Sequence, residues 1–122
     1  MKLKTDPRHI ERTKLMEALF SWNFIQKKKP PKKIAEIVKN LTQIDSIISE
    51  CAKDRPIFEI NKIDLAILRL AVFELIMEKG VPPKVVIDEA VELGKEFGSD
   101  SSSAFINGAL GQVIKLKNIT IK

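Results

Sequence analysis

The stretch Ile63-Asp64-Leu65-Ala66-Ile67-Leu68-Arg69-Leu70-Ala71-Val72-Phe73-Glu74-Leu75-Ile76-Met77 decides the fold. Wound as a helix it is apolar on nearly every side, the pattern of a central helix enclosed by others rather than of one lying on a surface. Asp64, Arg69 and Glu74 interrupt the run, so it is not a membrane span. Asn61, followed three residues later by Asp64, resembles a capping box and marks the helix start. Gly80 is expected to end the helix as a left-handed cap, with Pro82 and Pro83 preventing continuation.

An enclosed helix needs neighbours, and the flanking sequence supplies them. Upstream, Asp6-Pro7 is a strong helix start, because the carboxylate accepts from early backbone amides and proline at the first position loses no needed donor. That helix is expected over 7–27. Leu15, Ala18, Leu19, Trp22 and Ile25 form one apolar stripe, and Met16, Phe20 and Phe24 form a second. The combined arc is too wide for one core contact, so Phe20 and Phe24 on its margin face either the core or a partner protein. Lys27–Lys33, with Pro30 and Pro31 inside it, reads as a turn. Ile34, Ile37, Val38 and Leu41, then Ile44, Ile47, Ile48 and Cys51, predict one helix or two abutting helices over 31–53, with Thr42 and Asp45 capping the second. Cys51 lies on that stripe as a small buried hydrophobe. Residues 54–60, which include Pro56, form a connection.

Downstream, a helix is expected over 84–97 with Val86, Ile87, Ala90, Val91, Gly94 and Phe97 inward, and Asp88, Glu89, Glu92 and Glu96 on a solvated face. Gly98 closes it, and Ser99-Asp100-Ser101-Ser102-Ser103 supplies cap residues for a last helix over 103–117. Phe105, Ile106, Ala109, Leu110, Val113 and Leu116 are its inward residues. Gly94, Gly108 and Gly111 each cost about 1 kcal/mol of helix propensity, for which close helix approach is the expected compensation. A short extended tail over 118–121 is the only departure from helix. The class is all-α: a compact bundle of about six helices, one domain over residues 1–122.

Charge is divided along the chain. Residues 1–33 hold ten basic and three acidic side chains, residues 34–100 eight against thirteen, and residues 101–122 three against none, for +5 overall. Two basic ends around an acidic middle point to a polyanionic partner. Catalytic chemistry has little to stand on. His9 is the sole histidine, tyrosine is absent, and no glycine-rich phosphate loop or HExxH occurs. The carboxylates of 84–97 lack the Glu-x-x-His partner of a di-metal site. A non-enzyme without cofactor or metal is expected. The lone Cys51 excludes an internal disulfide and suits a reducing cytoplasm, and no segment reads as a membrane anchor.

The series Ile63–Ala71, Phe73-Glu74-Leu75, Val81-Pro82, Ile87-Asp88-Glu89-Ala90-Val91-Glu92-Leu93-Gly94-Lys95, Phe97-Gly98 and Phe105-Ile106-Asn107-Gly108-Ala109-Leu110 resembles the NusB family of bacterial transcription antitermination factors. Ala18-Leu19-Phe20-Ser21-Trp22 is similar to that family's Ala-Leu-aromatic-Ser-Trp element. The resemblance implies a NusB-like helical bundle that binds boxA-type single-stranded RNA together with a small-subunit ribosomal protein, NusE. It also implies a place in an antitermination complex on RNA polymerase during ribosomal RNA transcription. By position, Arg8, His9 and Arg12 match the arginine-rich N-terminus that meets RNA phosphates, and Ser101 occupies a loop position near the RNA. Lys14, Lys27 and Lys28 are further candidate phosphate contacts. Phe20 and Asp64 fall where the family contacts its ribosomal-protein partner, with Phe24 beside them. Asp64 is open between that role and capping. A competing expectation is a diverged protein-interaction module that keeps the helical core without specific RNA binding. The same apolar margin could also bury itself in a homodimer.

Overall fold

A computed structural model describes residues 6–25, 28–78 and 80–121. Six α-helices stand among them: α1 (Pro7–Phe24), α2 (Ala35–Lys39), α3 (Leu41–Cys51), α4 (Lys62–Phe73), α5 (Pro83–Phe97) and α6 (Ser102–Leu116). Short 3₁₀ turns precede α2 and α4, and α4 runs into one turn of π-helix over Glu74–Glu78. No strand occurs among the described residues, and 119–121 do not form one.

Helix α4 is the axis of the molecule. Every residue from Asp64 to Val72 is buried, and α1, α3, α5 and α6 all pack on it. Each fully buried leucine or isoleucine contributes about 1.5–3 kcal/mol from removal of its surface from water. The polar residues that broke the apolar run are paired inside. Arg69 donates through Nε and Nη2 to both Asp45 oxygens at 2.9 Å, and through Nη1 to Asn23 Oδ1 at 2.9 Å. The buried guanidinium paired this way ties α4 to α3 and α1, and removing one partner would leave a charge buried without compensation.

Several local expectations change. Helix α1 stops at Phe24 rather than 27. The 31–53 region resolves into α2 and α3, but Thr42 lies inside α3 and Asp45 is bound by Arg69 instead of capping. Asn40 holds the N-cap position without a side-chain cap bond, and its Nδ2 donates back to Glu36 O at 2.8 Å. Asn61 accepts from the Ile63 and Asp64 amides at 2.8 and 3.3 Å, so half of the capping box forms. No described glycine has positive φ, so Gly80 is not a left-handed cap. Phe97 and Leu116, expected inward, are exposed. Cys51 packs against the core, and burial pushes its thiol pKa up, as an unreactive cysteine requires.

Candidate RNA and protein interfaces

Helix α1 carries both candidate surfaces. Its first turn is fixed by Asp6, whose Oδ1 accepts from the Arg8 amide at 2.9 Å, with Pro7 at the first helical position. Arg8 and Lys14 are exposed. His9 and Arg12, three apart, face inward and are buried. His9 Nδ1 lies 3.0 Å from Glu89 Oε1, and Nε2 lies 2.5 Å from Glu96 Oε1. Arg12 clasps Glu74 through Nε at 3.0 Å and Nη2 at 2.7 Å, with Nη1 3.9 Å from Glu89.

These bonds alter two sequence expectations. His9 and Arg12, placed by position against RNA phosphates, direct their donors into intramolecular carboxylates. The solvated acidic face of α5 is interrupted, because Glu89 is buried and Glu96 largely so. Burial pulls the His9 pKa down, but the hydrogen bonds it donates to Glu89 and Glu96 and their charges outweigh it, leaving the pKa raised above 6.5. The Arg12 pKa is raised chiefly by its Glu74 hydrogen bonds.

Beyond α1 the chain returns along the helix. Trp22 Nε1 donates to Lys28 O at 3.1 Å, and Lys32 and Lys33 then line a cleft of about 610 Å³ together with Arg8. Leu15, Ile37, Leu70 and Phe73 contribute apolar walls, and Glu11, Glu36, Glu74 and Glu78 line it as well. Lys28, Lys32 and Lys33 are exposed, and Lys27 lies outside the described residues. The placement of Lys32 and Lys33 beside Arg8 was not readable from KKKPPKK alone, because the direction taken after Pro30-Pro31 is a tertiary matter. Ser101 is exposed in the α5–α6 corner, five residues after Glu96, so the His9–Glu96 contact brings the start of α1 near it.

In the same region the Arg55 guanidinium stacks 4.2 Å from the Phe105 ring centroid. Lys53, Gly108 and Gln112 join them in lining a cleft of about 500 Å³. A guanidinium on an aromatic face is a surface on which a base can stack. Its two halves are 50 positions apart in the chain, and no sequence period links them.

The other end of α1 is apolar. Phe24 is 62% exposed, and its ring meets the half-buried Phe20 edge to face with centroids 5.1 Å apart. Helices α1 and α4 run antiparallel, since Arg12 meets Glu74 and Asn23 meets Arg69. The C-terminal end of α1 therefore approaches the first turn of α4, where Asp64 is 2% exposed and its Oδ1 has no hydrogen-bond partner. Arg8 and Phe24 are separated along one helix by about 24 Å at 1.5 Å per residue. Among the described residues no helix is long and apolar enough to cross a membrane, and no group of three His, Cys, Asp or Glu could hold a metal.

Comparisons with known proteins give a consistent answer. The model of the NusB family matches residues 31–115. The transcription antitermination protein NusB of Treponema denticola is 42% identical over 84 residues, 69% of this chain and 62% of that protein. Its namesake in Chloroflexus aggregans is 51% identical over 73 residues, 58% of this chain and 49% of that one. The chain spans about half the length of such curated relatives, from 45% to 62%. Among solved structures, T. maritima NusB in a P3121 crystal form superposes with a TM-score of 0.78 at 32% identity, over 90% of this chain and 92% of that one. A chain in the crystal structure of a plectonemic RNA supercoil superposes with a TM-score of 0.79 at 25% identity, over 93% and 97%.

Proposed function

Because the chain belongs to the NusB family, we propose that it is an antitermination factor that binds boxA-type single-stranded RNA and the ribosomal protein NusE as a scaffold on RNA polymerase, without catalysis. The observation that carries this reading is the segregation of two surfaces at opposite ends of α1. At one end Arg8, Lys32 and Lys33 gather, with Lys14 exposed along the same helix and Lys28 on the segment that follows it. These cations attract phosphates, and Arg55 on Phe105 offers a stacking face near Ser101. At the other end Phe20 and Phe24 present an apolar margin, and α4, antiparallel to α1, carries in its first turn the buried Asp64, whose Oδ1 has no hydrogen-bond partner. A partner's apolar residues would cover Phe24 and the exposed edge of Phe20.

The test is fluorescence anisotropy of a boxA-like and a scrambled oligonucleotide, with and without NusE, at two salt concentrations. Selective binding that tightens with the partner is the expected result. A second reading, a protein-interaction module without specific RNA recognition, is favoured by the internal pairing of His9 and Arg12, which withdraws two cations from the RNA face. It predicts weak, unselective RNA binding that the partner does not change.

A further inference from the structure

We propose that His9 is a positioning residue: as an imidazolium held between Glu89 and Glu96 it fastens the first turn of α1 to α5 and so holds Arg8 in place for RNA. The functional half of this inference rests on the RNA-binding reading above; the fastening itself does not.

The argument begins with proton counting. A carboxylate only accepts hydrogen bonds, and a neutral imidazole has a single N–H to donate. His9 has a carboxylate oxygen on each ring nitrogen, at 3.0 and 2.5 Å, so both contacts are satisfied together only by the cation. The surrounding groups favour that cation. From α5 come Glu89 and Glu96; from the π-helical turn comes Glu74, already clasped by Arg12; from α1 itself comes Arg12, with Glu78 acting on it from farther away. Among the five side chains in direct contact, two positive charges face three negative ones. Loss of the His9 proton leaves one ring lone pair pointing at a carboxylate, and that contact must open.

The contact that opens is the one to Glu96. Glu89 is the more buried acid and keeps Arg12 nearby, whereas Glu96 has a fifth of its side chain in water and can turn outward. Glu96 sits in the last turn of α5, just before the corner that holds Ser101, and His9 directly follows Arg8. Opening this contact therefore separates the first turn of α1 from the α5–α6 corner. With one histidine in the chain, no other side chain of ordinary pKa titrates in the same range.

The experiment measures affinity of the full chain for a boxA-like single-stranded oligonucleotide from about pH 6 to about pH 8.5 at fixed salt, beside an NMR titration of the His9 ring. For the unaltered chain, affinity is expected to fall about three- to tenfold as pH rises through the raised His9 midpoint. His9→Arg, permanently charged and rich in donors, should bind tightly with a flat profile; His9→Gln should bind weakly with a flat profile. Should His9→Gln fail to fold, Glu96→Gln carries the test, because losing that charge should lower the ring's midpoint toward 6.5 and shift the affinity profile with it. A His9 midpoint at 6.5 or below, or a pH profile that persists in His9→Arg, overturns the proposal. If RNA fails to bind at every pH while the imidazolium persists above 6.5 and amide protection in 7–12 falls on its deprotonation, the fastening stands and the RNA reading fails.

Discussion

At the scale of single residues, charge placement separates what is structural from what is available. His9 is structural, and its raised pKa makes stability depend on pH. The folded chain binds this proton more tightly than the unfolded chain, so the stabilisation is fully present below about pH 6.5 and is lost as pH rises through the raised folded value. The melting temperature of the unaltered chain should therefore approach that of His9→Gln as pH rises, and a constant gap between the two would contradict the linkage. Asp64 shows the opposite character. A buried carboxylate oxygen without a donor carries a desolvation cost, which the positive end of α4 offsets by about 0.3–1 kcal/mol. Asp64→Ala should change stability by less than about 1 kcal/mol in chemical denaturation; a loss beyond about 2 kcal/mol would make Asp64 a structural cap. The Asp6-Pro7 start and the Asn61 cap were legible because capping is local. The partners of His9 and Arg12 were not, since Glu89 and Glu74 lie 80 and 62 positions away and a charged side chain gives no sign of turning inward.

At the scale of elements, apolar periodicity located the helical segments, though it left 31–53 open between one helix and two, and it marked α4 most clearly because its apolar residues surround the axis. Periodicity was weaker at orienting them. Helix α5 buries Glu89, which is held by His9 of α1, and leaves Phe97, its last residue, exposed. The glycines make the same point. Gly94 does sit at a close approach, where an added Cβ would lie 2.9 Å from Ile106 Cδ1, but Gly108 and Gly111 have nothing within 4 Å of one. The tightest corner is at Gly98, where a Cβ would fall 2.3 Å from Ser102 Oγ and 2.8 Å from the Gly94 carbonyl. Ser102 Oγ is fixed there by accepting from the Ser99 amide at 2.8 Å, so the corner cannot yield without backbone movement. Gly98→Ala should cost about 2 kcal/mol through that displacement. Gly111→Ala should instead raise stability by up to about 1 kcal/mol from helix propensity alone. Equal effects from the two substitutions would mean that propensity, not the α5–α6 corner, governs both.

At the scale of the whole molecule, the two surfaces share one rigid helix, so electrostatics and partner contact should be separable. With His9 and Arg12 engaged internally, the exposed cations flanking α1 among the described residues are Arg8, Lys14, Lys28, Lys29, Lys32 and Lys33, enough for about five phosphate contacts. Five phosphate contacts on single-stranded RNA give a slope of log affinity against log salt of about −3.5, whereas adding His9 and Arg12 would give about −5. Arg8→Ala should reduce the slope by about 0.7 in magnitude, because one counterion fewer is released. Arg12→Ala should leave the slope unchanged and lower stability instead, because Glu74 would lose its bidentate partner in a buried setting. Phe24→Ala should also leave the slope unchanged but remove the part of RNA affinity that appears only when NusE is present. By linkage, whatever factor NusE adds to RNA affinity must equal the factor RNA adds to NusE affinity, so both arms can be measured and compared. A slope that falls on Arg12→Ala, or partner-dependent tightening that survives Phe24→Ala, would show that the two ends of α1 do not divide the work in this way.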